Sequence, residues 1–311
     1  ATTTSRSRLF NSAGTAERRV PPQVHGVVVV LRTLLHRIRR PSRTSRGLEP
    51  SPTLRWHSVS SCREYDLCPR RYRFAYVERL KQDRPAPEGW RYGTVVHRAL
   101  EAAYRARAAG ASEPDVEEVA VVALHEAWDR EGLPNDDGDW RNRAEHLVRQ
   151  TIESDLLHAN DILGVEHRFG AQFDDTTAFA GHADLVLRRD DHTVEIVDHK
   201  VTRNVVDPRM LRHDLQLNLY AWLAKNEWPW ARRIIATHHY PPAGTTTTVE
   251  LTDTTMDIAM RQLVATARRA ATDVEYVPTP GPHCSHCSWA HRCPAAVDPD
   301  ASGHATSQGR A

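Results

Sequence analysis

The stretch EIVDHKVTR, residues 195–203, sets an acid, Asp198, one residue away from an amine, Lys200, directly after the apolar pair Ile196–Val197. Alternate side chains of an extended strand share a face, so Asp198 and Lys200 point one way and His199 the other. An acid and an amine held together at a strand end form either a salt bridge or reaction machinery. Alone, the pattern reads as a salt bridge; its neighbours change the reading.

The first neighbour is Asp184, in GHADLVL (181–187), on what reads as an adjacent strand. Two such strands bring Asp184 and Asp198 to one hard-cation site. Mg²⁺ and Mn²⁺ take oxygen ligands from one or two carboxylates, with water and substrate phosphate completing the shell. Lys200 beside that site is placed to orient or deprotonate a water, or to neutralise charge building on a phosphate.

Around these strands the period of the sequence changes twice. HSVSSCREYDLCPRRYRFAYV (57–77) reads as a helix capped by Ser58, Ser60 or Ser61 and followed by an aromatic, basic turn. GWRYGTVVHRALEAAYRARAAG (89–110) predicts a helix starting near Tyr92 or Gly93, with Val96, Leu100 and Tyr104 on one face. Amphipathic helices are expected over 114–130 and 139–160. The segments 164–173, 178–189 and 192–201 then alternate as a strand meander. One helix is expected over 208–226, strands over 232–242 and 245–251, and a last helix over 254–271. Helices alternating with strands in this order define an α/β class, a central mixed sheet flanked by helices.

Composition bounds the rest. The chain has 311 residues, of which 40% are apolar and 26% charged, the profile of a soluble protein with a proper core. Its longest apolar run, GVVVVL at 26–31, is far short of the ~20 residues that cross a bilayer, so no membrane partner is expected. The net charge of +1 hides an asymmetry: residues 1–50 hold ten arginines against Glu17 and Glu49, leaving an acidic remainder. Residues 1–54 read as a disordered basic leader, with a nucleic-acid-binding arm or an organellar transit segment as alternatives. Residues 55–296 form the folded domain, and 297–311 a disordered tail.

Of five cysteines, Cys284, Cys287 and Cys293 form a C-x2-C-x5-C group, and Cys68 lies more than 200 residues upstream. A disulfide framework does not suit a chain of this length, and a cytoplasmic location is the expectation. Four thiolates grouped as one plus three suit structural zinc or an iron–sulfur cluster, and spacing does not choose between them. His283, His286 and His291 are further zinc-ligand candidates. Cys62 reads as a free, half-buried thiol. Either metal makes a clasp between the two ends of the fold.

Taken together, Gly181-x-x-Asp184, Asp198-x-Lys200 and Gln216-x-x-x-Tyr220, in this order, resemble the PD-(D/E)XK nuclease superfamily, with its restriction-endonuclease-like core. More narrowly, the set resembles the RecB-family exonucleases, with His97 matching that family's upstream helical histidine. Cys68–Pro69 and the final cysteine triplet resemble the arrangement in helicase–nuclease subunits and CRISPR adaptation nucleases, where it holds a four-iron four-sulfur (4Fe-4S) cluster. The resemblance spans about residues 56–295.

The resemblance implies His97, Asp184, Asp198 and the backbone carbonyl of His199 as Mg²⁺ or Mn²⁺ ligands. It implies Lys200 as the catalytic amine, Gln216 and Tyr220 as site residues, and Cys68, Cys284, Cys287 and Cys293 as iron–sulfur ligands rather than zinc ligands. Glu166 reads as a strand salt bridge. The function implied is a metal-dependent DNA exonuclease of repair, recombination or foreign-DNA processing. The alternative is a non-catalytic subunit of a helicase–nuclease or CRISPR adaptation complex. No G-x-x-x-x-G-K-[ST] phosphate loop occurs, so a separate helicase or recombination protein is an expected partner. Single-stranded DNA is the expected substrate, with Arg70, Arg71, Tyr72 and Arg73 as its binding residues or, equally, as packing around the cluster.

Overall fold

The computed structural model describes residues 54–82, 86–134, 139–153 and 162–295. The leader and the tail lie outside these residues, apart from Leu54.

The chain enters through strand β1 (Arg55–His57) and helix α1 (Val59–Leu67). Of the three serines offered as caps, Ser58 is the one used: it accepts from Ser61 N while the Ser61 side chain answers to the Ser58 backbone. The helix stops at Cys68, whose backbone is extended (φ −162°, ψ 108°), because Pro69 bars its predecessor from helical geometry. A short helix α2 (Pro69–Tyr72) and a π-turn (Arg73–Val77) follow. Three helices come next: α3 (Glu88–Ala108), α4 (Glu113–Glu131) and α5 (Asp139–Ile152). Helix α3 begins earlier than the sequence implies, at Glu88 after Pro87. On α3, Val95, Val96, Ala99, Leu100, Ala103 and Tyr104 are buried at the three- and four-residue spacing of one face.

The sheet follows, with β2 (Ile162–Gln172), β3 (Thr177–Asp190) and β4 (Thr193–His199). The helix expected over 208–226 is two helices, α6 (Pro208–Leu211) and α7 (Leu215–Glu227). Asp214 makes the break, since its carboxylate caps α7 by accepting from Gln216 N and Leu217 N. Strands β5 (Arg233–Tyr240) and β6 (Thr245–Leu251) and helix α8 (Asp253–Thr272) complete the core. Two short turns, Pro282–His286 and Ala290–Arg292, carry the C-terminal cysteines.

Among the described residues these strands form one mixed six-stranded sheet in the order β1-β3-β4-β5-β6, with β2 pairing β3. The β1–β3 and β4–β5 pairs are parallel and the rest antiparallel. Leu185, Leu187 and Val197 pack against α3, α4 and α5. Phe179, Ala183, Val186, Val194 and Ile196 pack against α1, α7 and α8. The sheet is thus covered on both faces, as the sequence implies. Among the described residues no helix is long and apolar enough to cross a membrane.

Candidate active site

Strand β4 is buried from end to end and stops where the two helical layers part. Its last residues carry the chemistry. Continuing the β3–β4 register one step past Leu185↔Val197 sets Asp184 across from Asp198. The His199 N–H donates to Asp184 Oδ2 at 2.7 Å, locking the two strands together there. Lys200 Nζ stands 2.5 Å from Asp198 Oδ2, so the acid and the amine do share a side. The His199 ring points to the other face, stacked on Tyr104 with centroids 5.4 Å apart.

Both layers reach the acids. From α3, His97 Nδ1 lies 3.4 Å from Asp184 Oδ2. From α7, Gln216 Nε2 donates to Asp198 Oδ1 at 3.1 Å and to Tyr220 Oη at 3.0 Å. From β2, Glu166 adds a third carboxylate. Its backbone is left-handed (φ 48°), a strained state for a residue with a side chain, and its Oε2 lies 3.3 Å from His182 Nδ1. Among the described residues, His97, Glu166 and Asp184 offer three ligand atoms mutually within 4.8 Å. Glu166 therefore makes its strand salt bridge and also belongs to the candidate cation site. These groups line a cleft of about 690 Å³.

Electrostatics describe a site short of positive charge. Burial raises the Asp198 carboxyl to about 6; Lys200 works against the rise and Asp184 adds to it. Glu166 is also raised, first by burial and then by Asp184 and Glu101. Burial works against ionisation of Asp184 too, but His97 and His199 outweigh it and hold the carboxyl low. His97 is raised despite burial, because Asp184, Asp198 and Glu166 surround it. Three carboxylates in a cleft with Lys200 and Arg98 suit a hard divalent ion, which prefers oxygen donors.

Sequence reasoning missed the strand beside β4. Parallel pairing sets His238 next to Asp198 and His239 next to His199. His238 Nε2 is 3.4 Å from Asp198 Oδ2, and His239 Nδ1 is 2.9 Å from His199 Nδ1. Burial takes His199 to about 3 and both neighbours to about 4, so all three rings are neutral at pH 7. The signal was the His-His pair in THHY, at the end of an apolar strand.

Gly181 has a reason that only the fold reveals: the Tyr220 ring occupies the space a Cβ would take. Gly181→Ala is expected to push Tyr220 and Gln216 off Asp198. The strain should cost about 1–3 kcal/mol and the loss of orientation at least tenfold in turnover. Thermal melting and initial rates check both; unchanged turnover would remove Tyr220 from the machinery.

The basic, aromatic turn proposed for DNA is engaged within the protein. Tyr72 is buried among Tyr65, Tyr76 and Tyr276, which corrects its reading as a base-stacking residue. Arg71 Nε meets Glu64 at 2.7 Å, Arg73 Nε meets Glu78 at 2.6 Å, and Arg70 donates to the Glu275 carbonyl at 3.1 Å. Each of the three guanidinium groups thus has a partner within the protein, and Arg70 and Arg71 also stand in the wall of the cavity that the cysteines line.

Cys68, Cys284, Cys287 and Cys293 converge on one small, mostly apolar cavity, with His283, Arg70 and Arg71 also in its wall. Backbone N–H groups point at two of the sulfurs: Thr279 N at Cys68 Sγ, 3.5 Å, and Gly281 N at Cys284 Sγ, 3.4 Å. Cys62 stands apart in the main core, its thiol pushed up to about 12 by burial.

A mixed sheet with acids and a lysine at its central strand end, covered by helices on both faces, defines a nuclease-type α/β core. Residues 57–294 match the PD-(D/E)XK nuclease superfamily, and the chain belongs to that family. Its fold is similar to the crystal structure of a protein provisionally named an exonuclease, from Eubacterium rectale. That likeness has a TM-score of 0.51 at 10% identity, covering 74% of this chain and 87% of that one. The crystal structure of SSO0001 is similar at 15% identity with a TM-score of 0.38, over 82% of this chain and 91% of that one. No curated protein matches the chain in sequence.

Proposed function

We propose that this protein is a divalent-metal-dependent DNA exonuclease of the RecB type, acting on single-stranded ends. The observation that carries the reading is the convergence of His97, Glu166, Asp184, Asp198 and Lys200 in one cleft at the end of β4. Every position of the family pattern holds a residue able to act, which argues against a decayed, merely DNA-binding subunit.

Asp184, Asp198, His97 and the His199 carbonyl would hold Mg²⁺ or Mn²⁺, and Glu166, whose carboxylate lies within 4.8 Å of ligand atoms on His97 and Asp184, is a further candidate. Such an ion, when bound, supplies Lewis acidity at the phosphate. The protein's own part is positional. Asp198 fixes Lys200 beside the scissile phosphate, where the ammonium stabilises the oxygen that gains charge as water attacks phosphorus. The attacking water gives up a proton to bulk solvent as its oxygen bonds to phosphorus, the P–O bond to the leaving oxygen breaks, and that oxygen takes a proton from solvent. Gln216 holds Asp198 from behind, with Tyr220 behind Gln216.

Lys200→Ala should keep metal and DNA affinity and lose about a hundredfold or more in turnover. The assay is digestion of 5′- and 3′-labelled single strands with Mg²⁺ or Mn²⁺, beside a circular strand with no end. Stepwise loss from one label with the circle intact supports the reading; a cut circle overturns exonuclease action, and a fully active Lys200→Ala overturns the catalytic assignment.

The cysteine cavity supports a 4Fe-4S cluster held by Cys68, Cys284, Cys287 and Cys293. A single tetrahedral zinc at about 2.3 Å from each sulfur needs sulfurs about 3.8 Å apart. A 4Fe-4S core takes the same four thiolates, and the reading for the cluster rests on the resemblance of the one-plus-three cysteine arrangement, gathered here around one cavity, to that of the helicase–nuclease subunits.

A further inference from the structure

The face of α3 that carries His97 is bare toward its N-terminus. Gly89, Trp90, Gly93, Thr94 and His97 follow at three- and four-residue spacing, and all of them line the catalytic cleft. Glycine is the poorest helix former after proline in a helix interior, so Gly93, a full turn inside α3, needs a reason, and Gly89 in the first turn lies on the same face. Conformation is not the reason, since neither is among the residues with positive φ. Packing is not the reason either: a Cβ on Gly89 or Gly93 would meet nothing within 4 Å. What remains is clearance for a ligand lying along the helix backbone.

Trp90 marks where that ligand goes. Its ring is 74% exposed, and it lines both the catalytic cleft and a second cleft of about 630 Å³. The second cleft also presents Tyr76, 42% exposed, and runs toward the cysteine turns through His286 and Trp289. Trp90 lies seven residues before His97, about 10 Å along the helix axis. Two exposed aromatic rings spaced along a path to a cation site, with Arg98 and Lys200 beside it, match one ligand chemistry. Single-stranded nucleic acid offers bare base faces to the rings and an anionic backbone to the cations. Duplex DNA hides its base faces in the stack and would offer the rings nothing.

Resting on the nuclease reading, we propose that Trp90 stacks a base of single-stranded DNA lying across the Gly89–Gly93 face. Tyr76 is the second platform, and the strand runs from the second cleft to the carboxylates.

The test uses the full chain, with anisotropy of a labelled oligothymidylate in EDTA and cleavage kinetics of the same strand in Mg²⁺. Trp90→Ala should bind the single strand about tenfold more weakly, with the kinetic loss falling on KM, and should bind a blunt duplex as wild type does. Trp90→Phe should stay near wild type. Gly93→Leu should melt at or above the wild-type temperature yet lose affinity, a split that a structural glycine would not give. If wild type cleaves single strands while Trp90→Ala and Gly93→Leu bind them unchanged, the track is overturned and the nuclease reading stands. Wild-type preference for duplex also overturns it. If wild type neither binds nor cleaves DNA with Mg²⁺ or Mn²⁺, both fall together.

Discussion

Replacing Asp198 with asparagine is expected to abolish cleavage and yet raise the melting temperature of the metal-free protein at pH 8. Asp198 is only 5% exposed, and burial with Asp184 nearby lifts its carboxyl to about 6 in spite of Lys200. The folded state therefore binds this proton more tightly than the unfolded chain, where an aspartate titrates near 3.9. The sign follows. This group's contribution to stability is fully present below pH 4 and is lost as pH rises through about 6. Above that, the fold carries a charge that burial and Asp184 disfavour. Asparagine keeps the shape and cannot ionise, so the slope between pH 4 and 6 should flatten. Millimolar Mg²⁺ should then raise the melting temperature of wild type but not of the variant. Because metal binding displaces protons from His97 and Asp198, wild-type affinity for Mg²⁺ should fall as pH drops, first where His97, raised above its ordinary value, takes a proton and again through about 6 with Asp198. Calorimetry in EDTA decides the electrostatic argument: a variant melting below wild type at pH 8 would sink it. Cleavage by Asp198→Asn at the wild-type rate would sink the site.

What the sequence disclosed about this site followed from short-range geometry. The two-residue period of a strand is enough to put Asp198 and Lys200 together and His199 behind them. The four-residue step from Gln216 to Tyr220 is enough to put both on one face of α7. Partners that meet only through the sheet order were hidden. His238 reaches Asp198 because β5 runs parallel to β4, a pairing no local pattern announces. Gly181 looked like motif punctuation until Tyr220 was seen lying against it. Helix α3 begins at Glu88, ahead of the start near Tyr92 or Gly93 that the apolar spacing marks, because its first turn carries none of the buried residues, which run from Val95 onward. Strand β1 is three residues long and too short for any periodicity. Arg70, Arg71 and Arg73 carry two readings in the sequence, DNA contact and packing, because the sequence does not show their partners. A basic cluster reads as a DNA surface until its acids and carbonyls, one of them on Glu275, are in view.

Changing Cys68 to serine, or any one of Cys284, Cys287 and Cys293, is expected to bleach a brown protein and lower its melting temperature by about 10 °C or more. The lobe carrying the last three cysteines has little core of its own: Phe74, Cys287 and Trp289 are its buried centre, with Ala75, Leu80 and Ala290 packed against them. Its ties to the rest include Trp289 Nε1 donating to the Lys81 carbonyl at 3.1 Å and Arg70 holding the Glu275 carbonyl. The first is part-buried and the second exposed, and such hydrogen bonds contribute about 1 kcal/mol each. A cross-link from Cys68 to Cys284 closes a loop of more than 200 residues, and in the chain-entropy view closing even a 100-residue loop stabilises by about 4.7 kcal/mol. At about 2–4 °C per kcal/mol for a domain of this size, the loss reaches the expected drop. Activity should fall with it, since Tyr76 and Trp289 line the same cleft as Trp90. Cys62→Ser is the control: its thiol lies in the main core, 3.9 Å from the Leu263 carbonyl, so metal content should not change. Metal analysis of anaerobically purified protein separates the two chemistries. About four irons per chain supports the cluster; one zinc per chain without iron sinks it and leaves a zinc clasp, whose removal should destabilise the same lobe.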